Sequence, residues 1–267
     1  VLPNPRIQQQ TRRGTGMIIK EERIGGQRLI LGDCLKVMPL LGEFDAVVTD
    51  PPYLLVSGGN KTKDMGGKFS KDRYDNSGEI VNTSTTWSEF MPVIFESLKP
   101  NSHAYIMCNN RHVQNLLNSA ENAGFKFHNL LVWDKISPTP NRWYMKNLEF
   151  TGFFYKGKAF YINDCGSKQL IKVPLPMSDL HPTVKPVELM QHYIGNSTQV
   201  VQTILDPFMG SGTTLVACKK MGRKGTGIEL DPDYFDIACK RVDEATRQPD
   251  LFVEPPAPRP TQKDFEI

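Results

Sequence analysis

Two short segments of the chain carry residue types suited to chemistry. Asp50-Pro51-Pro52-Tyr53 follows the run Phe44-Asp45-Ala46-Val47-Val48-Thr49. A short, nearly continuous apolar run of this kind is the pattern of a buried strand. Proline then ends it, because the ring removes a ladder donor. The segment should therefore emerge at the carboxyl edge of a sheet, where open α/β sheets bind ligands. Asp50 supplies a carboxylate and Pro51 a carbonyl, two acceptors held on a stiff backbone. Facing the two N–H groups of an aromatic exocyclic amine, they favour a pyramidal nitrogen with a localised lone pair. Positive charge developing on that nitrogen is stabilised by the same acceptors. Tyr53 adds a flat face for a base drawn out of its stack, a contact of about 1–3 kcal/mol. An ordinary turn after a strand is the plain alternative.

The second segment, Asp206-Pro207-Phe208-Met209-Gly210-Ser211-Gly212-Thr213-Thr214, lies between an apolar run (201–205) and a helical stretch (213–221). Gly210 and Gly212 allow close approach of backbone to a ligand. The helix N-terminus offers amides to an anion such as an amino-acid carboxylate, and Asp206 can receive an ammonium group. Further on, Gly227-Ile228-Glu229 ends the next strand with an acid able to accept from ribose hydroxyls. Leu215 stands where G-x-G-x-x-G requires its third glycine, which disfavours NAD. The pattern G-x-x-x-x-G-K-[ST] is absent, which disfavours ATP.

The intervening elements must bring these segments together. Strand patterns at 29–31, 44–49, 103–107, 129–133, 201–205 and 225–229 alternate with helical patterns at 35–41, 87–98, 113–123, 213–221 and 233–246, and a further apolar segment runs from 150 to 160. Such alternation predicts an α/β fold with a doubly wound, mostly parallel sheet. Residues 1–27 read as a flexible arm, 28–246 as the catalytic domain and 247–267 as an extended, proline-rich tail. Within the domain, 57–85 forms a long polar loop of the kind that is functional or disordered.

Composition sets the bounds. The chain has 267 residues, 39% hydrophobic and 23% charged, enough for a sizeable core. It has no apolar run long enough for a membrane span. No signal-peptide core opens it, so a cytoplasmic location is expected. Five cysteines at scattered spacings (Cys34, Cys108, Cys165, Cys218, Cys239) argue against a disulfide framework or zinc site, and no metal is expected. The net charge of +3 is too mild to mark a nucleic-acid binder by itself.

Together the segments resemble the amino-methylating DNA methyltransferases, specifically the circularly permuted β group, in which D-P-P-Y precedes F-x-G-x-G. Gly32-Asp33-Cys34-Leu35 is similar to that group's segment contacting the cofactor's adenine. His181-Pro182-Thr183-Val184-Lys185-Pro186 is similar to its H-P-T-x-K-P cofactor segment. Val132-Trp133-Asp134-Lys135 and Glu149-Phe150 resemble shorter internal motifs. The resemblance implies a Rossmann-like methyltransferase fold with permuted motif order, S-adenosylmethionine as cofactor, and transfer to N6 of adenine in flipped-out DNA. It makes Asp50, Pro51, Pro52 and Tyr53 catalytic. It makes Asp33, Cys34, His181, Thr183, Lys185, Asp206, Phe208, Gly210, Ser211, Gly212, Thr213 and Glu229 cofactor contacts.

Other expectations concern partners. Only a short stretch separates Glu149 from His181, so residues 137–180 leave room for a reduced recognition region at most. Two groups are candidates for DNA contact. Lys61, Lys63, Lys68, Lys71 and Arg73 can follow phosphates, and Arg142, Trp143 and Tyr144 combine a cation with stacking surfaces. Gln248, Leu251 and Phe252 resemble the peptides that dock bacterial sliding clamps, and a homodimer is implied by the resemblance. N4-cytosine methylation is the nearest alternative. Serine is common at the first motif position in that subgroup, so Asp50 leans toward adenine. An inactive DNA- or clamp-binding protein of the same fold is the alternative from a different class.

Overall fold

Strand residues alternate between two faces, and here both faces are covered. Leu29 and Leu31 pack into one apolar cluster while Ile30 packs into another, and Ile204 and Leu205 divide in the same way. The near-continuous apolar runs seen in the sequence thus belong to strands buried on both sides. The computed structural model describes residues 17–52, 55–56, 79–80, 85–139, 144–176 and 184–247.

The chain divides into two units, Val1–Pro51 with Trp87–Ile267, and Pro52–Thr86. In the smaller unit, β4 (Leu55–Val56) pairs antiparallel with β5 (Glu79–Ile80). Among its described residues the larger unit holds nine strands: β1 (Ile18–Ile24), β2 (Gln27–Gly32), β3 (Phe44–Thr49), β6 (Leu98–Cys108), β7 (Lys126–Thr139), β8 (Lys146–Lys156), β9 (Leu170–Lys172), β10 (Thr203–Asp206) and β11 (Lys224–Glu229). They form one sheet in the order β1-β2-β11-β10-β3-β6-β8-β7-β9. β2, β11, β10, β3 and β6 are parallel. β1 closes one side antiparallel, and on the other β8 pairs antiparallel with both β6 and β7, with β9 parallel to β7 at the edge.

Among the described residues six α-helices cover the faces: α1 (Cys34–Val37), α2 (Trp87–Glu96), α3 (Val113–Asn122), α4 (Val187–Ser197), α5 (Thr213–Lys220) and α6 (Pro232–Arg247). Residues of α1, α2 and α3 share one core cluster, whereas those of α4, α5 and α6 fill the clusters on the other face. β10 leads into α5 and then β11 on one side. β3 leads, through the smaller unit, toward α2 and then β6 on the other. The crevice between the ends of β10 and β3 is therefore a topological switch point, the place where such sheets bind ligands.

The α/β class and the mostly parallel, doubly wound sheet agree with the sequence pattern. Four local details differ. Helix α4 was not expected, although Val187, Leu189, Met190, Tyr193 and Ile194 follow helical spacing. β6 begins before Pro100, which a register shift accommodates, with Asn101 at φ 57°. Ile18–Ile24, within the stretch expected to be an arm, forms edge strand β1. β8, within the candidate recognition region, pairs with both β6 and β7 and belongs to the sheet. No helix among the described residues is long and apolar enough to cross a membrane.

Candidate active site

The carboxyl ends of four adjacent strands carry the acids picked out in the sequence. Asp33 follows β2, Glu229 ends β11, Asp206 ends β10 and Asp50 follows β3. Parallel register aligns them: Asp206 lies opposite Gly227, and Glu229 opposite Leu31. Thr49 donates its hydroxyl to Asp206 Oδ1 at 2.7 Å, tying β3 to β10 at the crevice.

The glycine turn after β10 is built from both sides. Gly210 and Gly212 have φ of 49° and 80°, the left-handed region that glycine occupies without steric cost. The Gly210 amide donates to Glu229 Oε2 at 2.9 Å, while Glu229 Oε1 accepts from the Leu230 and Asp231 amides at 2.9 Å. Three of the roughly four acceptor directions of a carboxylate are used, leaving one for a hydroxyl. Burial raises the Glu229 pKa against the pull of these amides. Asp206, 3% exposed, is pushed up to about 6, chiefly by burial, despite hydrogen bonds from Thr214, Thr49 and the Phe208 amide. The Asp50 charge raises it further.

Under the turn lies Arg241 of α6, whose Nη1 donates to Ser211 O at 2.6 Å, Ser211 Oγ at 2.7 Å and Thr213 Oγ1 at 3.1 Å. Ser211 and Thr213 are therefore held by the protein itself. Phe208 packs edge-on to Phe90, with centroids 5.0 Å apart. Asp33 caps α1 by accepting from the Leu35 amide at 3.1 Å and pairs with Lys36. Cys34 is buried, with its thiol pushed up to about 12 by burial and then by Asp33. It stays neutral and acts as a small apolar wall.

Asp50 has the least settled carboxylate of the group. Its Oδ2 takes a hydrogen bond from Lys185 Nζ, whereas its buried Oδ1 has no hydrogen-bond partner among the described residues. Lys185, expected among the cofactor contacts, stands between two acids: its ammonium is also 3.4 Å from Glu149 Oε2. Burial raises the Asp50 pKa, Lys185 opposes the rise and Glu149 adds to it, for a net upward shift. Burial pushes Glu149 the same way, but Lys185 and Lys135 outweigh it and the net shift is downward. Pro51 is buried beside Asp50.

Tyr53, His181 and Thr183 lie outside the described residues, as do Lys61, Lys63, Lys68, Lys71, Arg73, Arg142, Trp143, Gln248, Leu251 and Phe252. Pro52 belongs to the smaller unit. Tyr144 is 94% exposed. Three residues at the site had been given no role from sequence. Thr49 was legible as the last strand position before Asp50. Glu149 was visible only as part of a short motif. Arg241 had no signal, because an arginine on an amphipathic helix normally faces water.

A doubly wound sheet with a glycine turn and acids at its switch point is the arrangement in which nucleotide-type ligands are bound. Residues 44–240 match the DNA methylase family, and the chain belongs to that family. It is 30% identical over 224 residues to the Type II methyltransferase M2.DpnII of Streptococcus pneumoniae, covering 74% of this chain and 82% of that protein. The crystal structure of the M1.HpyAVI–SAM complex superposes with a TM-score of 0.62 at 26% identity, covering 80% of this chain and 98% of that one. PvuII DNA methyltransferase (cytosine-N4-specific) gives a TM-score of 0.65 at 17% identity, over 84% and 92% of the two chains, and shares the fold.

Proposed function

We propose that this DNA methylase transfers a methyl group from S-adenosylmethionine to N6 of adenine in DNA, with Asp50 and the Pro51 carbonyl as amine acceptors. The order of segments, Asp50–Tyr53 before Phe208–Gly212, supports membership of the permuted β group with a D-P-P-Y motif. The assignment is carried by Asp50 Oδ1, which follows β3 at the switch point and, like Glu149 Oε2, is buried with no hydrogen-bond partner among the described residues. A buried acceptor with no donor costs free energy, and an incoming amine supplies the missing N–H.

The residues at the turn fit the cofactor. A Cβ built on Gly210 meets nothing within 4 Å, so the space beside that backbone is open to a ligand. The N-terminus of α5 suits a carboxylate, and Glu229 suits a ribose hydroxyl. When bound, S-adenosylmethionine supplies an electrophilic methyl carbon on a sulfonium. Asp50 accepts an N–H of the amine and stabilises the charge that grows there as the lone pair is committed. Its carboxylate then receives the proton released when the methylated nitrogen returns to neutrality. The buried neighbours Pro51 and Lys185 lower the local dielectric and strengthen these interactions. Adenine must leave the duplex stack to reach the site.

The experiment is transfer of labelled methyl groups from S-adenosylmethionine to DNA, with digestion and identification of the nucleoside. N6-methyladenine is expected, and Asp50→Ala should lower the rate by about 10²–10³-fold or more, the scale for losing one preorganised stabilising group. N4-methylcytosine as product would move the assignment to the other base. Undiminished transfer by folded Asp50→Ala would remove Asp50 from the chemistry.

A further inference from the structure

We propose that Glu149 is a positioning residue for methyl transfer: through Lys185 it fixes the Asp50 carboxylate so that Oδ1 alone is presented to the substrate amine. The proposal rests on Asp50 being the amine acceptor.

Four side chains form a row of alternating charge. Lys135 Nζ donates to Glu149 Oε1 at 3.1 Å, Glu149 Oε2 lies 3.4 Å from Lys185 Nζ, and Lys185 Nζ donates to Asp50 Oδ2. Their side chains are 13%, 18%, 9% and 25% exposed in that order. They come from β7, β8, the segment before α4 and the end of β3, so separate parts of the fold converge on one carboxylate.

Stability is a weak reason for such a row. Removing charges from water costs about as much as their attraction returns, and apolar residues of similar size commonly serve as well. What the row supplies is direction. An ammonium bound to a single carboxylate can slide between its two oxygens. The Glu149 charge, 3.4 Å from the ammonium and not hydrogen-bonded to it, draws Lys185 toward a second acid while Lys185 donates to Oδ2, and Oδ1 remains buried and unpartnered among the described residues. Glu149 is itself anchored by Lys135, so the orientation is transmitted from the neighbouring strands β7 and β8. Lys185 also offsets the mutual repulsion of Asp50 and Glu149.

Among the described residues, the other titratable groups that face the row are Asp206 of β10, Cys108 of β6 and Tyr193 of α4. The Cys108 thiol is pushed up to about 12 and the Tyr193 phenol is raised, both chiefly by burial, so both stay neutral. Asp206 is the further acid at the row among the described residues.

The test is the pH profile of single-turnover methyl transfer, with cofactor affinity measured separately by calorimetry. Lys185→Met removes the cation between two carboxylates, so the acid limb should rise by about 1–3 pH units, the usual effect of an opposite charge at this distance. Glu149→Gln removes the like charge, so the limb should fall. Its turnover should also drop about 10- to 100-fold at the optimum, because Oδ1 is no longer aimed, with cofactor affinity unchanged. The double variant should fall between the two. If Glu149→Gln does not fold, Lys135→Met, at the far end of the row, should still move the limb upward. Limbs that coincide with the wild type, or that move together in Lys185→Met and Glu149→Gln, would overturn the positioning role. Active Asp50→Ala would instead overturn the reading of the site on which it rests.

Discussion

Two glycines separated by a single serine should fail in opposite ways when each is replaced by alanine. Gly212 has φ 80°, and a Cβ built there lies 3.0 Å from Ala238 Cβ and 3.2 Å from Ala238 Cα. The left-handed backbone alone costs about 1–2 kcal/mol for an L side chain. Contact with the backbone of α6, which cannot rotate away, adds about 1–3 kcal/mol of overpacking. Gly212→Ala should therefore lose about 2–5 kcal/mol of folding stability. Gly210 has φ 49° with no atom within 4 Å of its Cβ. Gly210→Ala should accordingly lose only about 1–2 kcal/mol. Its methyl group would instead project into the open space proposed to take the cofactor. A steric conflict of about 1–3 kcal/mol would weaken S-adenosylmethionine by roughly 10- to 100-fold. Urea unfolding gives the first quantity and calorimetric titration with the cofactor the second. Gly210→Ala binding the cofactor as tightly as wild type would refute the placement of the ligand beside this turn. Equal stability losses in the two variants would refute the packing argument.

Further outcomes follow from the acids and their partners. The folded-state pKa of Asp206 is raised to about 6. Its contribution to stability is therefore full below its ordinary value and lost as pH climbs through that raised value. Asp206→Asn should flatten the stability–pH curve between about 4 and 6, with a gain of at most roughly 3 kcal/mol at neutral pH and weaker cofactor binding. Thermal melts across that window check it, and an unchanged curve counts against a raised pKa. Arg241→Met should release Ser211 and Thr213, costing about 1.5–3 kcal/mol for a charged donor together with cofactor affinity. Denaturation and calorimetry measure the two losses, and a variant that keeps both would show that the turn stands without its brace.

The extent of legibility differs between particular residues. Asp50-Pro51 at a strand end, the Gly210–Gly212 turn and Glu229 on the following strand were all readable, because each depends on a few consecutive residues. Proline stops a strand, glycine permits a left-handed turn, and a buried run ends at the sheet edge where a carboxylate can follow. The alternation of patterns similarly indicated a parallel sheet. Helix α4 carries a readable apolar spacing behind Pro186, but the cofactor-like motif before it obscures where the period begins. The early start of β6 was not readable, since Pro100 normally excludes a strand and only the neighbouring register accommodates it.

Chain-local chemistry therefore determined which groups exist and at which strand ends they emerge. Tertiary structure decided what each group touches. Lys185 and Asp50 are 135 positions apart, and only the placement of α4 brings the ammonium to that carboxylate. Strand order likewise set Thr49 against Asp206 across 157 positions, and helix packing set Arg241 under a turn 30 positions earlier. Side-chain charges interact through space within a few ångströms, so their partners follow from the order of strands and the faces of helices, which no local run of residues encodes.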